Sequence, residues 1–448
     1  MLVAASALAA ACSSGSADPG AESGAGSGGG GSTASSSAGT AATQGGKPSA
    51  AGTGAGGSVT AGSSQAGGSA GGTSAGGNGP LGGGLRVPKT NPKQIYAHVM
   101  PWFETPQTSG DGKWGSHWTM ANRDPNQQDG SGRRDIASHF YPLIGPYGSS
   151  DPDVIEYQLL LMKYAGIDGV LMDWPTTVQA YDYPKNLKNA EAMLDRTNDF
   201  GLSFAVVYED QNIKAGGAPD WRAAGKADMS YLRDHYFNRP NYVQVAGAPL
   251  LLVFGPQSFQ APEDWGDLFS VLPKRPTFLT LWYESKEAGD FAAGEYAWIY
   301  MDNGRLDQFY SREYGGLEMG SVYPGFKAFY AEGNWGTNPF EIAHDGTGTF
   351  SANLDKALGA DGIDHVQLAT WNDYGEGTMI EPTRELMYGC LTLLQQKLGV
   401  SAGQAELELV ARLFEKRKAG ADGAKLAQAA AALNQLKPAE AKSILDTL

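Results

Sequence analysis

The sequence predicts a (β/α)8 barrel, a closed ring of parallel strands wrapped by helices. About eight short, near-continuous apolar runs follow residue 92, as strands buried on both faces require. Helical or loop segments separate them. Most of the runs end in a cluster of polar or aromatic residues, at the point where the βα loops of such a barrel converge.

In order the runs are QIYAHVMPWF (94–103), GIDGVLMDWP (166–175), LSFAVVYED (202–210) and APLLLVFG (248–255). PTFLTLWYE (276–284), EYAWIYMD (295–302), GSVYPGF (320–326) and HVQLATWNDYGE (365–376) follow. The helix before the second run has its own signals. Asp151 is placed to cap it, Pro152 suits its first turn, Val154, Ile155, Leu159 and Met162 share one face, and Gly166 ends it. The first connection, from about Glu104 to Ser150, has the length of a lid or a substrate wall. Trp114, His117, Trp118 and Arg134 are its candidates to line a pocket, with a self-packed loop as the alternative.

Residues 92–398 hold the barrel. Residues 399–448 are good helix formers broken by Gly and Pro, a helical appendage with a structural role. Residues 13–91 are dominated by Gly, Ser, Ala and Thr, which bury too little apolar surface to fold, and read as a disordered linker. Residues 1–12, opening MLVAASALAAACSSGS, resemble the end of a bacterial lipoprotein signal with Cys12 as its lipidated cysteine; a disordered Ala-rich start is the alternative. The resemblance implies an extracellular or cell-surface barrel, lipid-anchored to a bacterial membrane. No later run is long and apolar enough to cross a bilayer.

A net charge of -15 argues against nucleic acid or an anionic membrane surface as the main ligand, since phosphate binding needs a basic face. A neutral substrate fits better. Cys390 is the one cysteine besides Cys12, so no internal disulfide and no Cys-based metal site is expected. The histidines at 98, 117, 139, 235, 344 and 365 show no close ligand spacing. We expect no metal, no cofactor and a monomer.

The strand ends supply the candidate site: His98, Trp102, Asp173, Trp174, Glu209, Asp210, Trp282, Tyr283, Glu284, Asp302, Tyr323, Asp373 and Glu376, with Trp118 from the long connection. Any one of them has a plain alternative as a cap, a loop-bonding carboxylate or an aromatic plug. As a set they suit sugars, because aromatic faces stack on C–H surfaces while carboxylates take hydroxyl protons. TWNDYGEGTMIEPT (370–383) is the densest stretch. Gly375 and Gly377 stand too close for a helix, and a buried strand has no use for Asp373 and Glu376. A sharp turn at a strand end lets residues three apart face one pocket, with Trp371 and Asn372 as its floor, bonding a sugar or a carboxylate.

YPLIGPYGSSDPDVIEYQLLLMKYAGIDGVLMDWP (141–175) and WNDYGEGTMIEP (371–382) resemble the glycoside hydrolase family 99 and family 71 group, over roughly residues 92 to 398. The first family contains endo-α-mannosidases and endo-α-mannanases, the second endo-α-1,3-glucanases. The resemblance implies a (β/α)8 barrel that cleaves internal α-glycosidic bonds of an α-mannan or α-glucan, with Glu376 as general acid and Asp373 as general base. Cleavage needs one protonated and one ionised carboxyl flanking the bond. Family 99 carries glutamate where this chain has Asp373, and the Asn-Asp-aromatic-Gly-Glu form is closer to family 71. The shorter side chain sets the carboxylate back by about 1.5 Å. Retention through a 1,2-anhydro sugar and direct inversion by water both stay open. The rival functions are a non-catalytic carbohydrate-binding barrel on the cell surface and, from another class, a transferase or structural surface protein.

Overall fold

The structure, a computed structural model, describes residues 84–448; the expected signal with Cys12, and the expected linker up to residue 83, lie outside the described residues. Eight strands form the barrel: β1 (Gln94–Val99), β2 (Gly169–Trp174), β3 (Ser203–Tyr208), β4 (Ala248–Val253), β5 (Thr277–Leu281), β6 (Gly294–Tyr296), β7 (Leu317–Val322) and β8 (His365–Leu368). Each is parallel to both neighbours, β1 lies between β2 and β8, and β3 closes the ring onto β4. The fold class is that of a closed (β/α)8 barrel.

The strands are shorter than the apolar runs that announce them. The run at 295–302 is strand only at its start, and the run at 365–376 leaves the sheet after Leu368. The apolar residues beyond those ends, Trp298, Ile299 and Trp371, are buried all the same. Burial, which the sequence pattern reports, continues past the last ladder bond.

Helices α1 (Pro152–Tyr164), α2 (Tyr183–Thr197), α3 (Trp221–Leu232) and α4 (Pro262–Phe269) follow the first four strands, and α5 (Asn303–Ser311) and α6 (Gly348–Gly359) follow β6 and β7. A short α-helix, Ser285–Ala288, and a 3-10 turn, Gly289–Phe291, follow β5, and α7 (Gly389–Leu398) follows β8. Asp151 caps α1 by accepting from the Asp153 N–H at 2.9 Å, with Pro152 in the first turn.

Unlike an ordinary barrel helix, α1 is covered on its outer side. Helices α8 (Gln404–Lys418), α9 (Gly423–Asn434) and α10 (Pro438–Leu445) form the appendage. Lys163 Nζ donates to Asn434 Oδ1 at 2.8 Å and Tyr164 Oη donates to the Leu433 carbonyl at 2.8 Å. Arg417 grips Glu156 through two bonds, 2.7 and 3.0 Å long. Residues 84–91, placed by composition in the linker, are already docked at the N-terminal end of the barrel. Lys89 bonds Asp168, and Thr90 N donates to Leu398 O at 3.1 Å. Inside the barrel His98 Nδ1 lies 3.2 Å from Gln367 Oε1, and Gln367 Nε2 donates to Ala297 O at 2.6 Å.

Candidate active site

Strand alternation decides which strand-end residues reach the barrel mouth. Asp173 turns inward, while Trp174, next in β2, turns outward and packs on Tyr208 and Tyr231. The same step recurs one strand on. Glu209 faces the mouth and hydrogen-bonds Asp173, whereas Asp210 accepts the backbone N–H groups of Gln257, Ser258 and Phe259. Trp174 and Asp210 are therefore corrected from sugar-binding candidates to a packing residue and a loop-binding carboxylate.

After β8 the chain makes a closed loop from Thr370 to Thr378. Thr370 N donates to Thr378 O at 2.9 Å, and Thr370 Oγ1 accepts from Asp373 N at 2.7 Å. Gly377 has φ +67°, and a β-carbon there would lie 2.8 Å from the Lys327 carbonyl, so this position admits only glycine. The Glu376 N–H donates to Asp373 Oδ1 at 3.0 Å, and Tyr330 Oη donates to Glu376 Oε1 at 2.7 Å. Asp373 is 5 % and Glu376 6 % exposed.

Four carboxyls thus form one electrostatic group: Asp173 interacts with Glu209 and with Asp373, and Asp373 with Glu376. Burial and then the Asp373 charge push Glu376 up to about 8. Burial pushes Asp373 up to about 7, against the N–H groups of Glu376 and Gly375. Burial likewise pushes Glu209 up to about 7, and burial with the Glu209 carboxylate holds Asp173 well above the usual range. Crowded acids in a dry site resist ionising together, so at neutral pH some of them keep protons.

Asp173 and Glu209 open onto a cleft of about 620 Å³. One wall comes from the long first connection, with Trp102, Trp114 and His117, and the other from Tyr181, Asp182, Tyr183 and Lys185. Trp102 stacks on His117 at 4.3 Å, and Trp335 meets the His117 edge at 5.5 Å. The connection is wall and self-packed loop at once. Its Trp118 is buried among Phe103, Tyr147 and Tyr374 and donates to Tyr147 O at 2.7 Å, so it plugs the loop rather than meeting a sugar. Arg134 stacks on Trp114 and donates to Pro125 O at 2.8 Å.

The other expected site residues lie elsewhere. His98 is buried in the barrel, and burial pulls its pKa down to about 4, leaving it neutral. Asn372 staples the chain after β1, accepting from Met100 N at 2.8 Å and donating to Met100 O at 3.0 Å. Trp371 and Tyr323 are fully buried. Trp282 is buried under Tyr283, which stacks on it at 4.1 Å, and the Arg312 guanidinium lies 5.6 Å from its ring. Glu284 leads into the short helix after β5, and exposed Asp302 caps α5 by accepting from Arg305 N at 3.0 Å. None of these lines the cleft, and Asp373 and Glu376 lie outside its lining too, coupled to it through Asp173.

Sequence reading missed Tyr330, Trp335 and Glu381. Glu381 is buried and accepts from Tyr147 Oη at 2.7 Å, Tyr374 Oη at 2.8 Å and Gln158 Nε2 at 2.8 Å. Its place at the end of the acidic stretch was the available signal. Tyr330 and Trp335 lie in the loop between the two strands of a short ribbon, Phe326–Lys327 paired with Glu341–Ile342, that no local pattern announces.

Comparison with known proteins bears on the fold and the family. The chain is 26 % identical over 241 residues to a glycoprotein endo-alpha-1,2-mannosidase of Mus musculus, covering 46 % of this chain and 47 % of that protein. It is 24 % identical over 263 residues to a glycoprotein endo-alpha-1,2-mannosidase-like protein of Danio rerio, covering 53 % of this chain and 54 % of that protein. It therefore spans about half the length of the curated relatives it matches. In fold it is similar to the solved GH99 endo-alpha-mannosidase from Bacteroides thetaiotaomicron, with TM-score 0.54 and 18 % identity over 68 % of this chain and 96 % of that one. The model of glycosyl hydrolase family 99 matches residues 91–388, the barrel and its acidic closing loop together, and the chain belongs to that family.

Proposed function

We propose that the protein cleaves α-mannosyl linkages within an oligosaccharide or polysaccharide, with Glu376 as general acid and Asp373 as general base. One observation carries this reading: the two carboxyls are pinned in a single loop at the C-terminal end of the barrel, buried together and electrostatically coupled to the acids that floor the cleft. Glu376 has the higher of the two pKa values, as a proton donor to a departing glycosidic oxygen needs. Asp373 takes the proton of the attacking group, a water or the sugar's own hydroxyl. Asp173 and Glu209 are placed to accept from sugar hydroxyls, and Trp102, Trp114 and Trp335 to cover sugar faces.

The aspartate at 373 favours a second substrate, an α-glucan, because family 71 shows the closer loop pattern. Incubating the full chain with α-mannans and α-glucans, with product sizing, separates the two. Internal cleavage of mannan supports the proposal; cleavage of glucan alone moves the substrate. Binding without cleavage of either leaves a carbohydrate-binding barrel.

Glu376→Gln is expected to remove nearly all turnover on natural glycosides but to spare glycosyl fluorides, whose leaving group needs no proton. Asp373→Asn is expected to damage both substrate types alike. We place the enzyme at the cell surface through Cys12 and the Gly/Ser-rich linker. Fatty-acid labelling that survives in Cys12→Ala overturns that placement.

A further inference from the structure

Glu376 is held from outside its own loop by one segment. The Lys327 N–H donates to the Glu376 carbonyl at 2.8 Å and the Phe329 N–H to the Gly375 carbonyl at 2.8 Å. Tyr330 then sends its hydroxyl to Glu376 Oε1 at 2.7 Å, from a side chain only 5 % exposed. The segment is fixed at both ends. Phe326–Lys327 pairs with Glu341–Ile342, and Trp335 N donates to Tyr330 O at 2.8 Å before the Trp335 ring joins the cleft wall. Backbone and side chain of the acid are thus gripped by the strip of chain that presents an aromatic to the cleft.

The bond has a chemical consequence. A phenol that donates to Oε1 occupies that oxygen as an acceptor whether the carboxyl is protonated or not, so the transferable proton resides on Oε2. When the glycosidic C–O bond breaks, that proton passes from Oε2 to the departing oxygen. The new carboxylate keeps the phenol as donor to its negative charge, a stronger bond than the neutral acid accepts. We infer that Tyr330 is a positioning residue for catalysis: it selects the oxygen of Glu376 that carries the proton and stabilises the carboxylate formed by proton transfer.

This rests on Glu376 being the acid, and the tests keep the two ideas apart. The charged and titratable groups about Glu376 are Asp373 on its own loop and Tyr330 on the gripping segment, with His344 one residue on, its Nε2 2.7 Å from the Gly377 carbonyl. Phenylalanine at 330 keeps the ring and deletes the donor. Tyr330→Phe in the full chain is expected to lower kcat on natural glycosides about 10-fold with KM little changed, and to lower it much less on a glycosyl fluoride. A donor to the charged form holds a carboxyl down, so its loss is expected to move the basic limb of the kcat profile to higher pH. In a Glu376→Gln background the same change is expected to add nothing.

A silent Tyr330→Phe beside an inactive Glu376→Gln overturns the inference and leaves the acid assignment standing. An active Glu376→Gln overturns both. A Tyr330→Phe loss equal on both substrates, or undiminished in the Glu376→Gln background, means that Tyr330 acts elsewhere and also overturns it. If Tyr330→Phe does not fold, fluorinated tyrosine at 330 gives the opposite perturbation. Its more acidic hydroxyl donates more strongly and should move the basic limb to lower pH, and an unmoved limb overturns the inference.

Discussion

The rim above β2, β3 and β8 and the rim above β5 and β6 begin from one sequence signature, an aromatic beside a carboxylate at a strand end. On the first rim Asp173, Glu209, Asp373 and Glu376 turn toward one another over the barrel mouth. On the second, Tyr283 is 51 % exposed over a buried Trp282, and Asp302 stands in solvent with its carboxylate on a helix N-terminus. The difference is direction and company, since Asp302 and Asp373 each accept a backbone N–H from three residues on. A strand-end acid that faces solvent at a helix N-terminus acts as a cap. It is free for chemistry when it faces the lumen and shares its charge problem with other acids.

The pair Asp373 and Glu376 puts the largest effect on this contrast. Loss of either carboxyl is expected to cost about 10²- to 10⁴-fold in kcat/KM on natural glycosides, and loss of Asp302 nothing measurable. Comparable losses from both rims would break the comparison. The pH dependence sharpens it. On the proposed roles, activity is expected to fall at low pH as Asp373 takes up a proton and at high pH as Glu376 gives one up, a bell whose two limbs belong to the coupled pair. Part of the upward shift of Glu376 comes from the Asp373 charge. Asp373→Asn removes that charge, so the Glu376 carboxyl, followed by carbon NMR, is expected to titrate at lower pH than in the wild type; an unmoved or raised value contradicts their coupling.

Glu381 comes next, an acid that is neither cap nor catalyst. Tyr374 donates to it, as does Tyr147, which also accepts from Asn372, so both neighbours of Asp373 in the chain are tied to this one carboxylate. Glu381→Gln puts an NH2 group, which only donates, in place of one of the two oxygens that now accept two hydroxyls and an amide, and is expected to cost about 1–3 kcal/mol of stability. A kcat loss of about 10-fold should accompany it as Asp373 loses its fixed placement. A stable variant with normal kcat would remove Glu381 from the support of the site.

Trp102 and Trp174 make the same contrast among aromatics, at smaller size in catalysis. Trp102 lines the cleft, and its truncation to alanine is expected to raise KM about 2- to 10-fold with little change in melting temperature. Trp174 is fully buried against Tyr208 and Tyr231, and its truncation is expected to cost about 3–5 kcal/mol of stability without a specific effect on KM. Reversed outcomes would exchange their roles.

The barrel was legible because buried parallel strands leave continuous apolar runs, and the closing loop because a buried strand has no use for Asp373 and Glu376 and a helix none for Gly375 and Gly377. Orientation was the harder part. Glu209 and Asp210 are consecutive and both acidic, and only the phase of β3 sends one to the mouth and the other to the 257–259 backbone. Trp118 and Trp371 look like sugar platforms in the sequence because a plug and a platform need the same side chain; whether a neighbour covers its face is settled by tertiary packing. Tyr330 was invisible for a related reason. Its partner is 46 residues away, and the ribbon that brings it there is two residues wide on each side.

Asp302 carries the smallest expected effect and the cleanest check on the second rim. Its carboxylate accepts from the Arg305 N–H at 3.0 Å, on a residue exposed to solvent at the start of α5. An N-cap of this kind is worth about 1 kcal/mol, because it satisfies one backbone donor that the first helical turn leaves without an intrahelical partner. Asp302→Ala should therefore lower the denaturation midpoint slightly, while Asp302→Ser, which keeps a capping oxygen, should restore most of it. Neither change should alter kcat or KM on any glycoside, since the side chain is bound to the start of α5 and stands apart from the coupled acids. If Asp302→Ala raises KM on a polymer while Asp302→Ser does not rescue it, the second rim binds sugar after all, and a carboxylate bound to a helix N-terminus no longer separates structural acids from functional ones.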